Sequence, residues 1–177
     1  LTACGGGEDP VRFDYGVASG DPLADRVILW THAKHGDLQA ASGPVTLSWE
    51  VARDAAFSQL VASGSVVSEA ASGHTAKVDA TGLAAGQAYF YRFRSGASIS
   101  PVGQTRALPA AGATDLRLAV FSCANYPAGY FPAYSEALKV QAQFALHLGD
   151  YIYEYPAGGY ASETAAAMGR VSVPANE

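Results

Sequence analysis

Apolar and polar residues alternate through the first half of the chain. Val45, Leu47, Trp49 and Val51 are interleaved with Thr46, Ser48 and Glu50. Tyr89, Tyr91 and Phe93 are interleaved with Phe90, Arg92 and Arg94. A period of two sends the two sets to opposite faces of a strand, so each stretch is predicted to be a half-buried strand. Residues 26–32 (RVILWTH) are dense in strand formers, and weaker patterns fit strands at 59–67, 75–80 and 99–105. Turn signals separate these runs: Gly20-Asp21-Pro22, Ser42-Gly43-Pro44, Ser72-Gly73 and Ala85-Gly86-Gln87. Six or seven short strands in this spacing predict a β-sandwich over residues 13–109.

After the small-residue linker Ala110-Ala111-Gly112-Ala113 the period changes. Residues 116–121 form a mostly continuous apolar run, as expected of a buried parallel strand. In residues 131–141, Phe131, Tyr134 and Leu138 recur at helical spacing, with Pro132 in a first turn. A second apolar run covers 144–148. Strand, helix and strand in this order predict a βαβ unit with a right-handed crossover.

That geometry makes three polar residues useful. Cys123 lies just beyond the first strand and Gly149-Asp150 just beyond the second. Parallel strands end at the same edge, which is where open α/β sheets bind ligands. Gly149 allows a tight turn there. A helical turn after Asp150 brings Tyr153 round to the same side. Thiolate, carboxylate and phenolate together suit a hard cation, and a carboxylate can bridge two. Two neighbouring cations would clamp phosphate oxygens and activate water. Singly, each residue has a plainer explanation: Cys123 as an inert thiol, Asp150 as a helix cap, the tyrosines as a packing face. Jointly, at two adjacent strand ends, they favour a metal site. His147 is read as a core residue or one standing behind a ligand, and neither Asn125 nor Glu154 is assigned a ligand role. His32, His35 and His74 lie far apart in sequence and are read as surface or hydrogen-bonded residues.

Composition narrows the choice. Hydrophobic residues make up 49% and charged residues 15%, a globular mix. The net charge is −5 and there is no basic run, which argues against a nucleic-acid-binding domain. An acidic chain repels polyanions, so phosphate chemistry here needs bound cations. No apolar run approaches the length of a membrane span. Residues 1–12 read as a flexible leader. Within it, Leu1-Thr2-Ala3-Cys4 resembles a bacterial lipobox, followed by a glycine tether. Lipidation of Cys4 would hold the chain at a membrane without a spanning segment. A chance tetrapeptide in a disordered leader is the other reading.

Phe121-Ser122-Cys123-Ala124-Asn125 and the run from His147 through Gly149-Asp150-Tyr151-Ile152-Tyr153 to Tyr155 resemble the alkaline phosphatase D (PhoD) family. The segments from Tyr15 to Pro22 and from Arg26 to Thr31 resemble that family's fibronectin type III-like amino-terminal domain. The resemblance implies a secreted bacterial phosphomonoesterase or phosphodiesterase of the calcineurin-like metallophosphoesterase fold, its catalytic domain starting within 114–177. It implies that Cys123, Asp150 and Tyr153 bind ferric iron, with Asp150 bridging to calcium. It further implies an extracytoplasmic, secreted or lipid-anchored protein, expected to be a monomer acting on phosphate esters. Family members continue well past 177 residues, so residues 1–177 alone are expected to be catalytically incomplete. Purple acid phosphatases share the Gly-Asp-x-x-Tyr pattern, which keeps the metal pair open. The competing function is a non-catalytic cell-surface β-sandwich binding module, which would have no use for Cys123 with Asp150 and Tyr153.

Overall fold

The computed structural model describes residues 10–38, 41–112, 115–126, 129–151 and 153. The chain divides into two compact units, Leu1–Ala113 and Thr114–Glu177.

The first unit is antiparallel throughout. Its strands are β1 (Val11–Arg12), β2 (Val17–Gly20), β3 (Arg26–His32), β4 (Lys34–His35), β5 (Val45–Ala52), β6 (Leu60–Ser68), β7 (Thr75–Thr81), β8 (Ala88–Ser95), β9 (Ser98–Ile99) and β10 (Gly103–Arg106). One sheet runs β10–β8–β5–β6 with β9 added on β8, and a second runs β2–β3–β7. The alternation seen in the sequence decides what lies between them. Val27 and Leu29 of β3 and Ala76, Val78 and Ala80 of β7 share one hydrophobic cluster with Val45, Leu47 and Val51 of β5 and Tyr89, Tyr91 and Phe93 of β8. Burying a side chain of that size contributes about 1.5–3 kcal/mol.

The chain corner before β8 is tied down from both sides. Leu83 is buried, and the Tyr89 hydroxyl accepts the Ala84 N–H at 2.8 Å. The run at 99–105 forms two strands because Pro101 has no N–H to give a ladder. Ser100 fills the gap: its N–H donates to the Phe93 carbonyl and its hydroxyl accepts the Phe93 N–H, both at 2.9 Å. Val11 and Arg12, placed in the flexible leader by their neighbours' composition, instead form β1 and pair with β4. Val11 is buried in the core, so an apolar side chain recruits this segment. Residues 1–9 of that leader lie outside the described residues.

His32 is buried, and its Nδ1 has no hydrogen-bond partner among the described residues. Its ring stands edge-on to Tyr15 at 4.9 Å and to His74 at 6.4 Å.

The second unit contains β11 (Leu118–Phe121), α1 (Pro132–Lys139) and β12 (Phe144–His147). β11 and β12 pair in parallel, Leu118 with Phe144 through Phe121 with His147. Helix α1 lies between them in sequence, as a parallel pair needs a long connection. Phe121 packs edge-on against Tyr134 of α1 at 4.7 Å. The strands form where the apolar runs place them, but they are not buried on both faces. Leu118 and Val120 stay 54% and 55% exposed, and Leu146 stays 50% exposed, because no described residue covers that face.

Two expectations follow for the first unit. At Gly103 a methyl group would overlap the Tyr91 ring, which is buried and has no room to yield. Gly103→Ala is expected to destabilise the unit by about 1–3 kcal/mol, read as a lower denaturant midpoint; an unchanged midpoint would show that the Tyr91 ring can move. The second expectation concerns pH. Burial, then nearby His74, holds the His32 imidazole below its ordinary value, while Lys34 adds to the effect and Asp14 opposes it. The unfolded chain then binds more protons than the folded one below about pH 6.5. Stability is full above that pH and falls as pH drops through it. Denaturant midpoints at pH 7 and pH 5 are expected to differ in the natural chain and to differ less in His32→Gln.

Candidate metal centre

The parallel ladder does not stop where the strands do. The Leu148 N–H donates to the Phe121 carbonyl at 2.8 Å, the Cys123 N–H to the Gly149 carbonyl at 3.2 Å, and the Ala124 N–H to the Asp150 carbonyl at 2.9 Å. The two loops therefore run side by side beyond the carboxyl ends of β11 and β12. Cys123 and Asp150 both adopt left-handed backbone, with φ of 60° and 49°, and Gly149 between β12 and Asp150 has φ of 122°. Left-handed backbone costs a non-glycine residue about 1–3 kcal/mol and persists only where its surroundings impose it. Here it turns two side chains toward each other.

The three residues singled out in the sequence come together. The Cys123 thiol lies 3.5 Å from Asp150 Oδ2, and the Tyr153 hydroxyl donates to the same oxygen at 3.0 Å. Cys123 is an exposed free thiol. Among the described residues no three of His, Cys, Asp and Glu gather at one point, so a centre here needs the Tyr153 phenol as its third donor. Cys4 and Glu154 lie outside the described residues.

The donor set fits a cation. Metal–ligand bonds of about 2.0–2.3 Å separate neighbouring ligands by roughly 2.9–3.7 Å. The observed separations of 3.5 Å and 3.0 Å fall in that range. The thiol and the phenol both turn to the carboxylate. Hydrogen bonding to Cys123, loss of water and the Asp150 carboxylate all push the Tyr153 phenol above the ordinary tyrosine value. The surroundings thus disfavour a phenolate until positive charge arrives, and a metal ion is the kind of group that reverses this.

His147 occupies a place that the sequence reading left open. Its Nδ1 accepts the Gly149 N–H at 3.4 Å, and its ring stands edge-on to Tyr151 at 4.9 Å. A histidine two residues before a glycine at a strand end was the available signal. At the opposite ends of the same strands, a cleft of about 430 Å³ is lined by Asp115, Leu116, Arg117 and Gln143. It gathers no set of metal donors.

Comparison with known proteins gives the family. The family profile described as "PhoD-like phosphatase, N-terminal domain" matches residues 5–109, and "PhoD-like phosphatase" matches residues 118–177. The chain belongs to the PhoD-like phosphatase family. It is 42% identical to alkaline phosphatase D of Bacillus subtilis (strain 168) over 157 residues, which is 86% of this chain and 27% of that protein. A solved structure titled "Structure of PhoD" aligns with a TM-score of 0.78 at 41% identity, covering 86% of this chain and 30% of that one. The PhoD-like chain thus spans under a third of the length of these relatives.

An ion held by Cys123, Asp150 and Tyr153 should hide the Cys123 sulfur. Alkylation of Cys123 by iodoacetamide is expected to slow at least tenfold when ferric iron is added, and to lose most of that protection in Asp150→Asn. Equal alkylation rates with and without iron would exclude Cys123 as a ligand.

Proposed function

We propose that this chain is the amino-terminal part of a secreted, metal-dependent phosphoesterase that hydrolyses extracellular phosphate mono- or diesters. One observation carries the reading: Cys123 and Tyr153 converge on a single Asp150 oxygen at the carboxyl ends of two parallel strands. Membership of the PhoD-like family supports the reaction class.

The architecture is proposed to follow the family. The strand order β2–β3–β7 against β10–β8–β5–β6, with the Leu83 and Tyr89 corner, supports a fibronectin type III-like sandwich. The parallel pair with α1 between its strands supports the first βαβ unit of a calcineurin-like catalytic domain. The lipobox-like Leu1-Thr2-Ala3-Cys4 supports an extracytoplasmic, lipid-anchored protein.

At the site, Cys123, Asp150 and Tyr153 would hold ferric iron. Asp150, whose carboxylate already takes both the thiol and the phenol, would also reach calcium. Such a pair supplies positive charge for phosphate oxygens and lowers the pKa of water. The protein's own work is positional. Cys123 and Tyr153 give up their protons on binding, so affinity falls as pH drops. Asp150 would be shared between the two ions, and the left-handed turns hold Cys123 and Asp150 preset, so little reorganisation would be needed when an ester enters. Three donors are too few for a two-ion centre, so the 177 residues alone are expected to turn over no phosphate ester.

Colour tests the assignment. Ferric iron bound to a tyrosinate absorbs visible light. The chain titrated with ferric iron is expected to develop that band, and Tyr153→Phe to lack it. Iron uptake without colour, or an equal band in Tyr153→Phe, would contradict the site.

A further inference from the structure

His147 does nothing in the proposed ligand set, yet its contacts lead to it. It ends β12, in register with Phe121. From there its side chain reaches forward two residues. Nδ1 takes the Gly149 N–H at 3.4 Å, and Tyr151 holds the ring edge-on at 4.9 Å from beyond the turn. A neutral imidazole that accepts at Nδ1 carries its proton on Nε2. That nitrogen is buried with no partner among the described residues, so its desolvation is uncompensated.

What Nδ1 does is restrain a turn. Gly149 at φ of 122° and Asp150 at φ of 49° place the carboxylate, and neither conformation is locally favoured for an ordinary residue. The carbonyls of both residues are tied to the Cys123 loop by the Cys123 and Ala124 N–H groups. The Gly149 N–H is tied by His147. The two peptides that flank Asp150 are thus held by the neighbouring loop, and the peptide just before them by the preceding strand.

We infer that His147 is a positioning residue for Asp150, acting through the Gly149 amide to set the angle at which the carboxylate meets a cation. This rests on the reading of Asp150 as a metal ligand. Groups that orient a ligand from behind typically change metal affinity about 10–100-fold when lost. The grip on the turn itself exists with or without a metal, and can be measured separately.

Two substitutions divide the residue's parts. His147→Phe keeps a ring for Tyr151 and removes the acceptor. His147→Asn removes the ring and keeps an acceptor near the position of Nδ1. Two readouts are taken on the 177-residue chain. One is hydrogen exchange of the Gly149 amide by NMR without metal; the other is affinity for ferric iron supplied as its citrate complex. The Gly149 amide is expected to be protected in the natural chain and in His147→Asn, and to exchange at least tenfold faster in His147→Phe. Iron affinity is expected to fall about 10–100-fold in His147→Phe and to return to within about threefold of the natural value in His147→Asn. An unprotected Gly149 amide in the natural chain overturns the inference, as does His147→Phe with natural protection and affinity. Loss of affinity in both variants assigns His147 to packing and overturns it too. If the natural chain binds no iron while Gly149 follows the expected pattern, the metal reading fails and the hold on the turn stands.

Discussion

Two parallel strands in fixed register bring residues 27 positions apart in sequence into one small site. Phe121 opposite His147 sets that register, and three backbone hydrogen bonds carry it beyond the strand ends. A slip by one residue would turn Cys123 and Asp150 to opposite sides, because side chains alternate along a strand. The donors of the site belong to loops, yet the loops are extensions of a ladder. This gives them the positional accuracy of sheet residues while leaving the side chains open to solvent. The left-handed φ angles at Cys123 and Asp150 complete the arrangement, since extended backbone would stand the side chains off the faces of the sheet instead.

The two units differ in how they are held. The first closes a core between two sheets, with Leu29, Leu47, Tyr91 and Phe93 almost wholly buried. Among its described residues the second buries little: Leu118, Val120, Leu146 and Leu148 remain half-exposed or more along the parallel pair. Its order rests on the strand ladder, the Phe121–Tyr134 contact and the hydrogen bonds around the site. Apolar strands with one face uncovered are what a parallel sheet presents when only two of its strands are considered. The relatives, about three times as long, have the chain length to supply such cover.

Much of this was legible in the residues. Alternation located β5 and β8 because each has one wet and one dry face, density of strand formers located β3, a weaker pattern located β7, and continuous apolar runs located β11 and β12. Cys123, Asp150 and Tyr153 could be named because strand ends are few and polar residues at them fewer. Other features left weaker marks. β1 and β2 carry no strand pattern of their own and exist through pairing with β4 and β3. The break at Pro101 was written in the sequence, but only the Ser100 side chain shows how the ladder survives it. The burial of His32 depends on Tyr15 and His74, which are remote in sequence. Backbone handedness at Cys123 and Asp150 had no residue signal, since neither is glycine.

The account turns on whether a sulfur, a carboxylate oxygen and a phenol oxygen share one metal ion. X-ray absorption at the iron edge of the chain loaded with ferric iron measures this directly. The expected spectrum contains one sulfur neighbour at about 2.3 Å among nearer oxygens, and the sulfur contribution disappears in Cys123→Ser. A first coordination sphere of oxygen alone in the natural chain would contradict the account.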